Sequence, residues 1–120
     1  MTSVMFFDTY AFFEIIRGNP NYLKYENIHA ITTVFNLAEL NLGLKKEMNK
    51  KQADKYLDSY KSFLVDVSVD DIKEAMDLKI KYKDMSIPDC IGYMVAKRFK
   101  ANFLTGDEDF RNMPNVEFVK

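Results

Sequence analysis

The sequence predicts an α/β fold in which a central parallel sheet carries helices on both faces. Two observations lead there. Short apolar runs of strand length alternate with longer stretches of helical periodicity along the whole chain. The first run, residues 3–7, is apolar from Val4 onward, the pattern of a strand buried on both faces of a parallel sheet. The chain has 120 residues, enough for one domain around a single core, so 1–120 is read as one domain. No repeat, low-complexity segment or linker divides it.

The elements follow in order. The strand at 3–7 stops at Asp8. Thr9 to Ile16 reads as a short helix, closed by Arg17-Gly18-Asn19-Pro20. NYLKYEN adds a helical turn, and IHAIT, residues 28–32, reads as a second strand. TVFNLAELNLGL is an apolar helix with a glutamate inside it. KKEMNKKQADKYLDSYKSF, residues 45–63, reads as one amphipathic helix, with Met48, Ala53, Tyr56, Leu57 and Tyr60 on its apolar stripe. FLVDVS, residues 63–68, is a short strand. VDDIKEAMDLKIKYKDM is a helix with Ile72, Ala75, Met76, Leu78 and Ile80 inward, and with Asp70, Asp71 and Glu74 as a solvated, acidic start. SIPDCIGYMVAKRFK is the next helix, ANFLT a strand, and VEFV the last strand.

Composition narrows the functional classes. Hydrophobic residues make up 48% and charged residues 29% of the chain, as in a soluble globular protein. The net charge of −1 gives no global basic field to advertise nucleic acid. One cysteine, Cys90, excludes an internal disulfide, and with the single His29 it excludes a His/Cys zinc site within one chain. Cys90 reads as a small buried residue and His29 as structural. The sequence has no run of 18 apolar residues and no basic segment leading into an apolar one at its start. A cytoplasmic location without membrane contact is therefore expected.

Carboxylates gather at element ends. In an open parallel sheet, ligands bind beyond the C-terminal ends of the strands, near the point where strand order reverses. Asp8 ends the first strand, and Asp107 follows NFLT in FLTGDEDF. If those strands are neighbours, both acids lie on one rim. Glu39 sits among Phe35, Leu37, Leu40 and Leu42, an unusual place for an unpaired charge. Asp89 lies in the first turn of the helix opened by SIPDC. Two unit charges about 4 Å apart repel by roughly 4 kcal/mol at an effective dielectric near 20. A hard cation such as Mg²⁺ or Mn²⁺, which takes oxygen ligands, would relieve that.

Each residue also has a plainer reading. Asp8 can cap the helix at Thr9, and Ser86-Ile87-Pro88-Asp89 resembles a capping box. Glu39 can lie on a solvated stripe, and Asp107 and Asp109 can be turn residues. What sets the group apart is that every member sits at an element end or in an otherwise apolar helix. The lysines at 45, 46, 50, 51 and 55, with Lys79, Lys81, Lys83, Lys97, Arg98 and Lys100, offer phosphate contacts or simply solvated helix faces.

Four stretches, MFFDTYAFFEII, NLAELNLGL, SIPDCIGYMVA and FLTGDEDF, resemble in their order and spacing the PIN-domain ribonucleases, most closely the VapC-type toxins of toxin–antitoxin pairs. The resemblance spans essentially the whole chain. It implies a three-layer α/β/α sandwich with a central parallel sheet. It implies an acidic site of Asp8, Glu39, Asp89 and Asp107, with Asp109 as a further metal-binding acid and Thr105 orienting the carboxylates. Asn36 stands where many relatives carry Ser or Thr. The implied chemistry is hydrolysis of RNA phosphodiesters with Mg²⁺ or Mn²⁺, leaving 5′-phosphate and 3′-hydroxyl ends. The implied partners are RNA, a small antitoxin and a second copy of the chain in a homodimer; Phe12, Phe13, Tyr56 and Tyr60 offer apolar contacts for the antitoxin or pack in the core.

Two rivals stand beside this reading. A catalytically silent PIN-fold module that binds RNA or protein would keep the fold without the chemistry. A phosphorelay receiver domain is also α/β, of similar length and Mg²⁺-binding, but it wants paired acids after the first strand, where Thr9 follows Asp8, and Asp66 is poorly placed as a phosphoacceptor.

Overall fold

The computed structural model describes residues 4–120. Three short strands, β1 (Met5–Phe7), β2 (Asn102–Thr105) and β3 (Val116–Phe118), form a parallel sheet in that order. The strand expected over 3–7 is thus β1, with Ser3 outside the described residues. Side chains alternate across the strands. Phe6 and its register partner Phe103 point to one face, where their rings stack with centroids 5.4 Å apart. Met5, Phe7 and Leu104 point to the other.

Each face acquires its own core, which makes the three layers. On one side, α1 (Thr9–Ile16), α2 (Val34–Lys45), α3 (Lys50–Ser59) and a 3-10 turn at Pro20–Tyr25 pack Phe12, Tyr22, Tyr25, Leu37, Leu40, Leu44 and Ala53 against the sheet. On the other, α4 (Val69–Lys81) and α5 (Ile87–Arg98) bring Ala75, Cys90, Ile91, Tyr93, Val95 and Ala96. The expected α/β/α sandwich is the architecture observed.

Several elements differ from the sequence expectation. Residues 28–32 do not form a full strand: His29 is exposed, and only Ile31 and Thr32 make isolated parallel bridges, to Phe6 and Leu64. FLVDVS likewise contributes one bridge, at Leu64. The chain enters it from a 3-10 turn at Lys61–Phe63 and leaves it for the cap of α4, so little length remains to pair. The helix expected over 45–63 breaks at Lys46–Asn49, because the Asn49 side chain accepts from the Gln52 N–H and opens α3. It ends at Ser59, where Tyr60 and Phe63 turn in to pack on the Phe12 ring.

In α4 the inward stripe is Asp71, Ala75 and Leu78, spaced i, i+4, i+7. That leaves Ile72 partly exposed and Ile80 74% exposed, contrary to the expected inward face. Asp71 is not a solvated start. It is 3% exposed, completes a capping box with Ser68, and accepts Arg98 Nε at 3.0 and 3.1 Å. Burial pushes its carboxyl up, but the Arg98 and Ser68 hydrogen bonds outweigh this and hold it below the usual range.

The bridges extend the sheet past β1. Phe7 N–H donates to the Ile31 carbonyl at 3.0 Å, and Val65 N–H donates to the Thr32 carbonyl at 3.0 Å. From β1 the chain therefore departs on one side toward Ile31 and Leu64, and on the other it returns as β2 and β3. Strand order reverses at β1, and Asp8 is the first residue past its end.

Candidate active site: an acidic cleft at the strand ends

Parallel pairing of β1 with β2 places Asp8 and Asp107 beyond the same edge of the sheet. One cleft of about 430 Å³ is lined by Asp8, Glu39, Asp89, Asp107 and Asp109, with Thr9, Ser86 and Asp84 between them. Tyr10, Phe13, Leu42 and Gly43 form its apolar wall, and Lys46 stands at its margin. All five acids singled out from the sequence therefore face one space.

Neutral hydrogen bonds aim each carboxylate. Asp8 occupies the N-cap position of α1, yet its side chain makes no capping bond. It instead accepts from the Thr105 hydroxyl at 2.7 Å and from the Asn36 carboxamide at 3.5 Å. The Thr105 oxygen in turn accepts from the Asp107 N–H at 3.1 Å, which ties the ends of β1 and β2 together. Glu39 accepts from the Thr9 hydroxyl at 3.0 Å and the Ser86 hydroxyl at 3.3 Å, so it is anchored to both α1 and the start of α5.

Asp89 does complete the capping box of α5: the Ser86 N–H donates to Asp89 Oδ2 at 3.0 Å, and the Asp89 N–H donates to Ser86 Oγ at 3.1 Å. Its other oxygen has no such duty. Capping and facing the cleft are therefore compatible. Asp107 closes a turn by accepting the Asp109 N–H at 3.0 Å.

Asn36 belongs to this network. It is fully buried, its oxygen accepts from the Thr33 hydroxyl at 2.7 Å, and its NH₂ faces both Asp8 and Thr9 Oγ1, the latter at 3.3 Å. A hydroxyl has a single proton to give, whereas the carboxamide has two and so can serve both. Space for it comes from α5. A Cβ at Gly92 would lie 3.0 Å from Asn36 Oδ1 and 3.1 Å from the Phe6 ring.

The electrostatics are lopsided. Among the described residues, no ion pair reaches Asp8, Glu39, Asp89 or Asp107. Burial raises the Asp8 carboxyl well above the ordinary range, and the charges of Asp89 and then Glu39 add to it, against the Thr105 hydrogen bond. Burial also pushes Asp89 up to about 6; the Ser86 backbone bond opposes this, while Glu39 and Asp107 reinforce it. Asp109 is raised too, by desolvation and then by Asp107 and Asp84. Such uncompensated carboxylates suit a hard divalent cation, because every donor is oxygen and each shift reflects burial reinforced by neighbouring negative charge. Among the described residues, no three of these side chains already stand close enough to grip an ion.

Sequence reasoning named the acids and Thr105. It left open Asn36, and it did not assign Thr9 and Ser86 as donors to Glu39. Adjacency was the available signal for Thr9, which follows Asp8 directly. The Ser86 contact with Glu39 spans two helices and had no local signature.

A PIN-domain family model matches residues 5–116. Two solved structures share the fold along nearly their full length. One, described as a toxin–antitoxin complex from Klebsiella pneumoniae, aligns with a TM-score of 0.74 at 21% identity, over 96% of this chain and 96% of that one. The other, VapBC2 from Rickettsia felis bound to a DNA fragment from their promoter, aligns with a TM-score of 0.70 at 20% identity, over 97% of each chain. No curated protein matches the sequence.

Proposed function

The chain belongs to the PIN-domain family, and on that footing we propose that it is a metal-dependent endoribonuclease, the toxin of a toxin–antitoxin pair. The observation that carries the proposal is the convergence of Asp8, Glu39, Asp89 and Asp107 on one cleft, where among the described residues no ion pair answers them. In this reading Asp8, Asp89 and Asp107 hold Mg²⁺ or Mn²⁺, with Asp109 as a further donor at the lip. When bound, the ion lowers the pKa of its water and offsets charge on the phosphoryl oxygens.

The remaining work falls to the chain. Thr105 and Asn36 keep the Asp8 oxygens turned toward the cleft. Glu39, gripped by Thr9 and Ser86, orients the attacking water toward the scissile phosphorus. Asp89 stays fixed because its second oxygen is committed to the α5 cap. The products are a 5′-phosphate and a 3′-hydroxyl end.

Both similar structures are toxin–antitoxin assemblies, which supports a small antitoxin as partner. An Arg or Lys from that partner, set into the cleft, would satisfy the carboxylates and compete with the ion. A homodimer of the toxin is part of the same proposal. The described residues contain no helix long and apolar enough to cross a membrane.

The second reading, a PIN-fold module that binds without cutting, draws support from the acids not being pre-gathered. One experiment separates the two. Purified chain, free of partner, is incubated with total cellular RNA in Mg²⁺ or Mn²⁺ and in EDTA. Cleavage that stops in EDTA supports the nuclease. Undiminished cleavage in EDTA sinks the metal mechanism, and RNA retained without cleavage in either condition favours the silent module. Co-expression with any small protein encoded beside this chain, followed by pull-down and the same assay, tests the antitoxin.

A further inference from the structure

A polyanion must reach a cleft whose floor is acidic. Pairing within the fold removes many of the chain's cations from consideration: Arg98 is held by Asp71, Lys45 by Asp54, Lys61 by Asp58, and Arg111 and Lys120 by Glu108. Lys46, at the C-terminal end of α2, lines the acidic cleft itself and has no ion pair among the described residues. The cleft runs into a second hollow of about 230 Å³, the two sharing Asp84 and Asp109. That hollow is lined by Lys81 at the end of α4 and by Tyr82, Lys83 and Met85 in the turn that leads to α5.

The turn is built to hold its position. Met85 is buried beneath it, and Lys79 Nζ donates to the Lys83 carbonyl at 2.6 Å. It leads directly into the Ser86–Asp89 capping box, so it is fixed relative to Asp89. Lys81 and Lys83 are both exposed. The Tyr82 ring is 38% exposed, with Lys81 Nζ 5.4 Å from its centroid. An exposed tyrosine flanked by two lysines is a combination that can hold an unpaired base and its flanking phosphates. A duplex would offer no free base to stack. Asp84 and Asp109, where the two hollows join, repel phosphate, so the cations before and after them must carry the strand across.

We propose that single-stranded RNA crosses the active site from Lys46 to the α4–α5 turn, with Lys81 and Lys83 on its phosphates and Tyr82 stacked on a base. The proposal rests on the ribonuclease reading above.

The test uses the full chain carrying Asp107→Asn, so that bound RNA stays intact, and a short fluorescein-labelled single-stranded RNA read by anisotropy across a salt series. Lys81→Ala/Lys83→Ala should weaken binding about tenfold and flatten the log–log salt dependence by about 1.4, roughly 0.7 for each phosphate no longer neutralised. Lys46→Ala should flatten it by about 0.7. Tyr82→Ala should weaken binding about tenfold with the salt slope unchanged, and Tyr82→Phe should restore it. Lys50→Ala/Lys51→Ala/Lys55→Ala, on α3 away from both hollows, should have no effect. In otherwise wild-type enzyme the same lysine changes should raise KM and leave kcat alone. An equal loss in the α3 variant, or no loss in the others, overturns the path. So does failure of the parent to bind RNA at all. Binding that follows the predicted pattern, together with no metal-dependent cleavage by the wild type, would instead remove the nuclease reading and leave the path standing.

Discussion

Asp89→Asn should stabilise the metal-free protein while abolishing cleavage. Asparagine keeps an oxygen for the Ser86 N–H, so the α5 cap survives. What disappears is a negative charge that burial, Glu39 and Asp107 all oppose. The carboxyl rises from 3.8 to about 6 in the fold, and one pKa unit corresponds to about 1.4 kcal/mol. The ionised group therefore costs the native state up to about 3 kcal/mol at pH 7. The neutral amide still carries part of the desolvation cost, so a gain of about 1–3 kcal/mol is expected. For a domain of this size each kcal/mol corresponds to roughly 4 °C in Tm. The sign with pH follows from the direction of the shift. A carboxyl raised on folding binds its proton more tightly in the native state, so its contribution is complete below the unfolded pKa and is lost as pH rises through about 6. Thermal melts in EDTA between pH 4 and 8 should show wild type losing stability across that window and the variant losing less. Added Mn²⁺ should raise the wild-type Tm at pH 7 far more than the variant's. A variant that melts below wild type at pH 7 in EDTA would refute the account, because it would show that the Asp89 charge stabilises the apo fold.

Thr105→Val removes the donor to Asp8 and the acceptor for the Asp107 N–H; we expect a loss of about 1–2 kcal/mol in denaturant melts and about a 10- to 100-fold drop in Mn²⁺ affinity by calorimetry. Arg98→Ala strips the cation from buried Asp71 and should cost about 3 kcal/mol by urea unfolding, with kcat unchanged because Arg98 lines a different groove. The Asp71 carboxyl is depressed on folding, so its stabilising contribution is present above the unfolded carboxylate range and fades as pH falls through the depressed value; Arg98→Ala should flatten that acid limb of the stability profile.

The sequence made the layers legible because strand and helix patterns differ in period. MFF is apolar throughout and a stretch of helical spacing follows it, while the short run NFLT follows the helical stretch of α5. The cleft acids were legible because each marks an element end or interrupts an apolar helix. What escaped were features decided by tertiary contact. Asp71 looks like any acid in a first turn until Arg98 arrives from α5, 27 positions along the chain. Residues 28–32 have strand composition, but only two of them find partners across β1 and Leu64. Residues 45–63 carry an unbroken amphipathic stripe, and one capping asparagine divides it. The apolar contacts expected for an antitoxin divide in the same way: Phe12 is fully buried, while Phe13 lines the cleft and Tyr56 remains exposed on α3.

The clearance between Asn36 and Gly92 has an evolutionary corollary. A methyl group at 92 meets the carboxamide oxygen at 3.0 Å and the Phe6 ring at 3.1 Å. A Ser at 36 would remove the first obstacle and leave only the Phe6 ring. The two positions are therefore not free to drift separately. Lineages with Asn at 36 should be confined to Gly at 92, while those with a small hydroxyl residue at 36 should sample Ala there. The order of historical change should follow: the glycine first, and the larger amide only afterwards.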